Sequence, residues 1–255
     1  MNENKESQNI RILVFDVWGD FAHFRRFYTT TSPLSFPIPP RTALCGLIGA
    51  IIGKEKENNA YLNYFTLGYA KIGLKLLKPI KTTVIAENLI HTKNSKGVGM
   101  NLIKANGGRS QINFEFLKDQ KYRIYFHHID EELYNNLKRN LINHHSIYTP
   151  CLGLSENIAN FKFIGEVEAQ SNESENFINI ESIVPSEMIE SKGINFEQGE
   201  YFSIKVPIEL NTERIPTKYS DILFEKNGKE LKVKLKSLYW SLNYDDKSEN
   251  IVFIE

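Results

Sequence analysis

Nine consecutive residues, HFRRFYTTT at 23–31, bring together an imidazole, two arginines, three aromatic rings and three threonines. Arginine forks such as those of Arg25 and Arg26 grip phosphate oxygens in pairs. The flat face of Tyr28 suits an unpaired base, and such stacking is worth about 1–3 kcal/mol per base. The hydroxyls of Thr29 and Thr30 can reach a phosphate or a ribose 2′-hydroxyl, the group that separates RNA from DNA. His23 completes the set. Phe24 and Phe27 read differently, as core residues beneath a long loop. No acid occurs between Asp20 and Lys54, so the stretch is shaped for a polyanion.

Two further groups extend that chemistry. Arg41 and Thr42 open an apolar helix, where free N–H groups and the helix dipole favour an anion; the alternative is a solvated cap. Lys93, Lys96, Lys104 and Arg109 lie in a polar, glycine-rich excursion suited to tracking phosphates without reading sequence. An ordinary solvated loop is the alternative. Gly107 and Gly108 would let backbone approach a ligand closely, or form a turn. The histidines at 23, 127–128 and 144–145 could act as a general base in metal-independent RNA cleavage. Structural roles at a strand end and a helix end are the competing reading. No carboxylate pair, nucleotide-binding glycine motif or metal motif occurs, so neither cofactor nor metal is expected.

The elements that must position these residues follow from periodicity. Residues 10–17 (IRILVFDV) read as a buried strand, apolar on both faces. Pro37, Pro39 and Pro40 end the loop and start a helix over 41–52, whose Leu44, Leu47, Ile48 and Ile51 share one face. Gly46 and Gly49 suit close packing against a sheet, and Gly53 ends the helix. A second helix is expected over 58–66, and strands over 69–77 and 82–91. Residues 111–117 and 122–128 flank Lys118-Asp119-Gln120 as a hairpin. A helix over 131–143 and a strand over 161–169 complete the order strand, helix, strand, strand, helix, strand. That is the split βαβ pattern of ferredoxin-like domains, the frame of the RRM.

Strands over 177–184, 201–209, 229–236 and 250–254 dominate thereafter, with Asn227-Gly228 as a hairpin turn. The expectation is an α+β protein: a ferredoxin-like domain at 1–170 and a small β-rich domain at 171–255. Of 255 residues, 41% are hydrophobic and 24% charged, an ordinary globular balance. Net charge is zero, yet residues 1–128 hold 18 Lys and Arg against 9 Asp and Glu, and residues 129–255 hold 13 against 22. Such segregation makes the first half a candidate phosphate surface and leaves the second for protein contacts. Two cysteines give no disulfide framework or zinc spacing, and Cys45 reads as a buried free thiol. The polar N-terminus lacks a signal sequence, and the longest apolar run is half of the roughly 20 residues that cross a bilayer. A cytoplasmic location without membrane contact is expected.

The opening strand, the segment HFRRFYTTTSPLSFPIPPRTALCGLIGAIIG and the later TPCLGLSENIA resemble the Cas-five family of CRISPR-associated proteins, and among them subtype I-B. These are RAMP-superfamily subunits of the type I Cascade surveillance complex. The resemblance implies a ferredoxin-like domain, a protruding basic β-hairpin thumb about residues 81–112 and a small C-terminal β-domain. It implies a ribonucleoprotein role in antiviral defence, capping the crRNA 5′ handle beside the backbone and large subunits, with target DNA close to the thumb. It also makes Tyr148, Gly153 and Ser155 candidates to shape the handle pocket; composition alone makes that segment a plain connector. One branch of the family cuts precursor crRNA with a tyrosine, a lysine and a histidine. No Lys-His pair stands at the matching strand, which reads KYRIYFHHID, so binding without catalysis is expected, with a metal-independent endoribonuclease as the alternative.

Overall fold

The computed structural model describes residues 8–29, 32–90, 109–244 and 247–255. Strand β1 (Asn9–Ala22) is central. Leu13, Phe15 and Val17 enter the main core, while Ile12 and Val14 enter a second core on the other face. Both phases of the strand are therefore apolar. β1 pairs antiparallel with β4 (Arg109–His128) and with β5 (Asn160–Asn172). β2 (Ala70–Leu76) and β3 (Thr82–Ile90) lie end to end along the far edge of β4. Helix α1 (Arg41–Ile52) ends on Gly53 in the left-handed conformation, as expected. Helix α2 (Glu131–Ile142) starts on Asp130, whose carboxylate accepts from the N–H groups of Glu132 (2.9 Å) and Leu133 (3.2 Å).

Several expectations need correcting. Lys118-Asp119-Gln120 is not a hairpin turn but a kink within the 20-residue β4, with Asp119 at φ 54°. Its partner changes there, from β3 to β2, and aspartate tolerates the left-handed conformation found there. The helix expected at 58–66 is a 3₁₀ segment, Glu57–Phe65, broken at Asn58 and Asn59. Gly49 packs against Tyr61 and Phe65 of that segment rather than on a sheet. Asn227-Gly228 does turn, with Gly228 at φ 79°, yet it joins β10 (Pro216–Glu225) to β11 (Leu231–Leu235), which lie in different sheets. The Glu225 carboxylate holds that turn, accepting from the N–H groups of Asn227 (2.7 Å) and Lys229 (3.0 Å).

Residues after 171 are tied to the main sheet and core. β12 (Tyr239–Tyr244) pairs with β5, and β13 (Lys247–Ile251) with β12. The sheet then curls until the N–H of Ile254 bonds the carbonyl of Ile72 on β2 (2.9 Å). β10 also pairs with β9 (Tyr201–Leu210); Val206, Ile208, Ile222 and Phe224 share the main core with α1. The main sheet runs unbroken through residue 170, while β6 (Ile178–Ile180), β7 (Val184–Pro185) and β8 (Ile189–Asn195) join β9–β11 in two further three-stranded sheets with a cluster of their own around Ile180, Val184, Leu231 and Val233. The charge halves intermix as well, through Lys71–Glu255, Lys75–Glu249 and Arg11–Glu166. Among the described residues, no helix is long and apolar enough to cross a membrane.

The curl encloses a polar network. Asp16 pairs with Arg123 (2.8 Å), Arg123 donates to the Tyr244 hydroxyl (2.9 Å), and Glu249 accepts from Lys75 (2.7 Å), Tyr125 (2.6 Å) and Tyr244. Buried charges persist only when paired this way. Burial alone would raise the Glu249 carboxyl, but the donors from Lys75, Tyr125 and Tyr244 outweigh it and hold the group below 4.5. A depressed carboxyl contributes stability above its unfolded value that is lost as pH falls through the folded one. Urea midpoints should therefore hold steady at neutral pH and drop as pH falls below 4.5. Glu249→Gln should lower the neutral plateau and flatten that acid limb; an unchanged limb would remove Glu249 from the account.

Candidate nucleic-acid interface

The loop after β1 closes on itself. Phe24 and Phe36 are buried anchors, and the N–H of Phe36 bonds the Phe24 carbonyl (2.7 Å). The N–H of Arg26 bonds the Leu34 carbonyl (2.9 Å), and the Ser35 hydroxyl accepts from the N–H of Phe24 (3.0 Å). Where β1 stops, this loop takes its place beside β4: the N–H of Glu115 bonds the Pro33 carbonyl (3.0 Å), and the Glu115 carboxylate accepts from the N–H of Ser35 (3.1 Å). The loop is thus fastened to the base of the β3–β4 hairpin, and it presents its tip from a rigid frame.

That tip carries exposed Arg25, half-buried Arg26 and Thr29, and Tyr28. Arg26 donates from Nε to the Ser35 carbonyl (2.8 Å) and from its terminal nitrogen to the Tyr28 hydroxyl (3.1 Å). Arg25 donates to the Thr29 carbonyl (3.3 Å), which leaves most of its fork free. Phe27, read from sequence as core, is instead 61% exposed, with Tyr28 at 57%. Its ring packs on Tyr219 of β10 (centroids 5.8 Å apart), not beneath the loop.

His23 and Arg41 turn inward. His23 is buried, with Nδ1 2.7 Å from the Glu115 carbonyl and its ring beside Phe114 and Phe116. The Arg41 guanidinium is also buried, donating to the carbonyls of Ala70 (2.6 Å), Phe65 (2.8 Å), Ile208 (3.3 Å) and Thr66 (3.4 Å). The anion site expected at the start of α1 is replaced by an arginine that stitches four backbone acceptors together. Thr42, half-buried, makes no side-chain cap there.

The second motif meets the first. The N–H of His23 bonds the Leu152 carbonyl (3.0 Å), and Gly153, at φ 95°, faces the His23 carbonyl so closely that a Cβ would lie 1.9 Å from its oxygen. Gly153, itself exposed, therefore packs its backbone directly against the loop. Ser155 is exposed, its hydroxyl donating to Glu156 (3.1 Å). Tyr148 is set apart, its N–H on the Ala50 carbonyl at the far end of α1 (3.0 Å). Arg109 is exposed on β4, six residues beyond Glu115, about 20 Å along the hairpin. Thr30, Lys93, Lys96, Lys104, Gly107 and Gly108 lie outside the described residues. Cys45 is buried and unpaired.

Of the other histidines, His128 is buried with Nε2 2.7 Å from the Tyr64 carbonyl. Burial pushes the His127 imidazole below its ordinary range, and neighbouring Lys71 adds to that. Among the described residues no cluster of three His, Cys, Asp or Glu side chains could hold a metal ion.

A family model described as CRISPR-associated protein (Cas_Cas5) matches residues 12–220. No curated protein matches the chain. Among solved structures, similarity is found to a CRISPR protein from Archaeoglobus fulgidus, at 15% identity, TM-score 0.47, over 96% of this chain and 99% of that one. A CRISPR RNA-guided surveillance complex contains a chain 10% identical, TM-score 0.48, over 86% of this chain and 91% of that one. A Type III-B Cmr-beta complex bound to cognate target RNA and AMPPnP contains one 12% identical, TM-score 0.43, over 87% and 86% respectively.

Proposed function

Because the chain belongs to the CRISPR-associated Cas5 family, we propose that it binds guide RNA without cleaving it, as a type I Cascade subunit capping the crRNA 5′ handle. The observation that carries the reading is the fastened loop: Arg25, Arg26 and Tyr28 displayed together on a frame built from β1, β4 and residues 150–159. The strand order β5–β1–β4–β2 is that of a ferredoxin-like domain, and the β3–β4 hairpin is the counterpart of the thumb. On this reading the backbone and large subunits are its protein partners, target DNA passes near the thumb, and the complex works in the cytoplasm. The inward-facing ring nitrogens of His23 and His128 argue against those two as bases, since a general base must reach its substrate; His144 and His145 are exposed.

Anisotropy titration with a repeat-derived RNA and an unrelated RNA of equal length tests the reading. Tighter binding of the repeat-derived strand is expected. Arg25→Ala should weaken it severalfold and lower the salt slope by about one, with little change in stability at this exposed site. Equal affinity for both strands would reduce the protein to a general single-strand binder. In EDTA, precursor RNA should stay intact; discrete, histidine-dependent products would establish the endoribonuclease alternative.

A further inference from the structure

The aromatic surface at the loop tip does not end with the loop. Tyr219 lies 192 residues away in sequence, yet its ring sits 5.8 Å from that of Phe27, tilted by 57°. Phe27 in turn meets Tyr28 edge-on, 5.2 Å between centroids. Two register shifts in the β9–β10 pairing bracket Lys218, immediately before Tyr219; such bulges bend a strand and re-aim the side chains beside them. Lys205 of β9 places its ammonium 5.8 Å from the Tyr219 ring centre. Lys205 and Lys218 are both exposed. Asp221 stands opposite Lys205 in the register, and Glu209 opposite Lys218.

A row of three rings, more than half exposed at two of them and flanked by Arg26 of the loop and Lys205 of β9, has a definite chemistry. Rings left open to water on one face offer stacking surface to another planar group, and cations at either end favour one joined to phosphates. Uniform sequence tolerance is expected of such a surface, since every base has a π-face. We infer that Phe27, Tyr28 and Tyr219 form one platform for an unpaired nucleobase of the bound RNA, with Lys205 holding the phosphate on its β9 side. This rests on the RNA-binding reading above and adds to it a contact from β9–β10, in the half of the chain where acids outnumber bases.

The test is an anisotropy titration of the full-length protein with repeat-derived RNA, using Tyr219→Leu, Tyr219→Phe and Lys205→Ala. Tyr219→Leu keeps bulk against Phe27 but removes the ring. It should bind roughly tenfold more weakly with an unchanged salt slope, while Tyr219→Phe binds normally. Lys205→Ala should lower the salt slope by about one. A scan of 2-aminopurine along the strand should find a position quenched by the wild type and not by Tyr219→Leu. If Tyr219→Leu binds as the wild type while Arg25→Ala still weakens binding, the platform is wrong and the RNA-binding reading stands. If Tyr219→Leu and Tyr219→Phe weaken binding equally, the hydroxyl and not the ring is at work, and stacking is overturned. If the wild type binds no RNA, both fall together.

Discussion

Arg41→Ala is expected to destabilise the fold by about 3–5 kcal/mol, and to do so without RNA present. The guanidinium is buried and donates to four carbonyls drawn from the end of the 3₁₀ segment, β2 and β9. Truncation would leave those acceptors facing an apolar gap, and each buried acceptor left unpaired costs about 1–3 kcal/mol. Thr66 is partly covered, because its carbonyl also accepts from the N–H groups of Tyr69 and Ala70, so the four losses do not simply add. Arg41→Lys should recover little, since one ammonium cannot fork to acceptors on several elements. Urea denaturation of the full chain measures the effect. A variant of wild-type stability that loses RNA affinity would return Arg41 to the phosphate-binding role that its sequence position suggests.

Arg41 also shows where reading the sequence stops. An arginine at the first turn of a proline-started helix has the local signature of an anion site, and nothing nearby contradicts it. Its acceptors at residues 65, 66, 70 and 208 are brought close only by the tertiary fold. By contrast β1, α1 and α2 were legible because their signals are local: a doubly apolar strand and apolar residues spaced by three and four. The kink at Asp119 and the turn at Gly228 were visible as turns, but their consequences were not. Whether a turn folds a strand back or hands it to another sheet depends on partners distant in sequence.

The interface was half legible for the same reason. Arg25, Arg26 and Tyr28 stand adjacent in the chain, so their co-location follows from covalent geometry. Phe27 and Tyr219 do not. β10 itself is not among the strands expected, and nothing in the sequence around Tyr219 says that a loop from β1 lies beside it. The charge difference between the halves misled in one respect. Lys71, Lys75 and Arg11 spend their charge on Glu255, Glu249 and Glu166, so that part of the excess is internal pairing and not free surface potential.

Gly153→Ala should be the most damaging glycine-to-alanine change among the described residues. At φ 95° a side chain is strained, at a cost of about 1–3 kcal/mol. The added Cβ would also lie 1.9 Å from the His23 oxygen and 2.7 Å from its carbonyl carbon, a backbone overlap that no rotamer change relieves. Relief requires residues 150–159 to part from the loop, which breaks the His23 N–H bond to the Leu152 carbonyl. The Phe24 ring, 3.4 Å from the same Cβ position, would lose its seat. The expected result is a loss of about 3 kcal/mol or more in urea denaturation, with RNA affinity falling because Arg25 and Tyr28 are no longer held in place. Ser155→Ala, two residues on at an exposed site, should leave stability unchanged. A Gly153→Ala protein of normal stability that still loses RNA would make Gly153 a point of direct RNA approach, and the packing of the two loops would no longer explain why a glycine stands there.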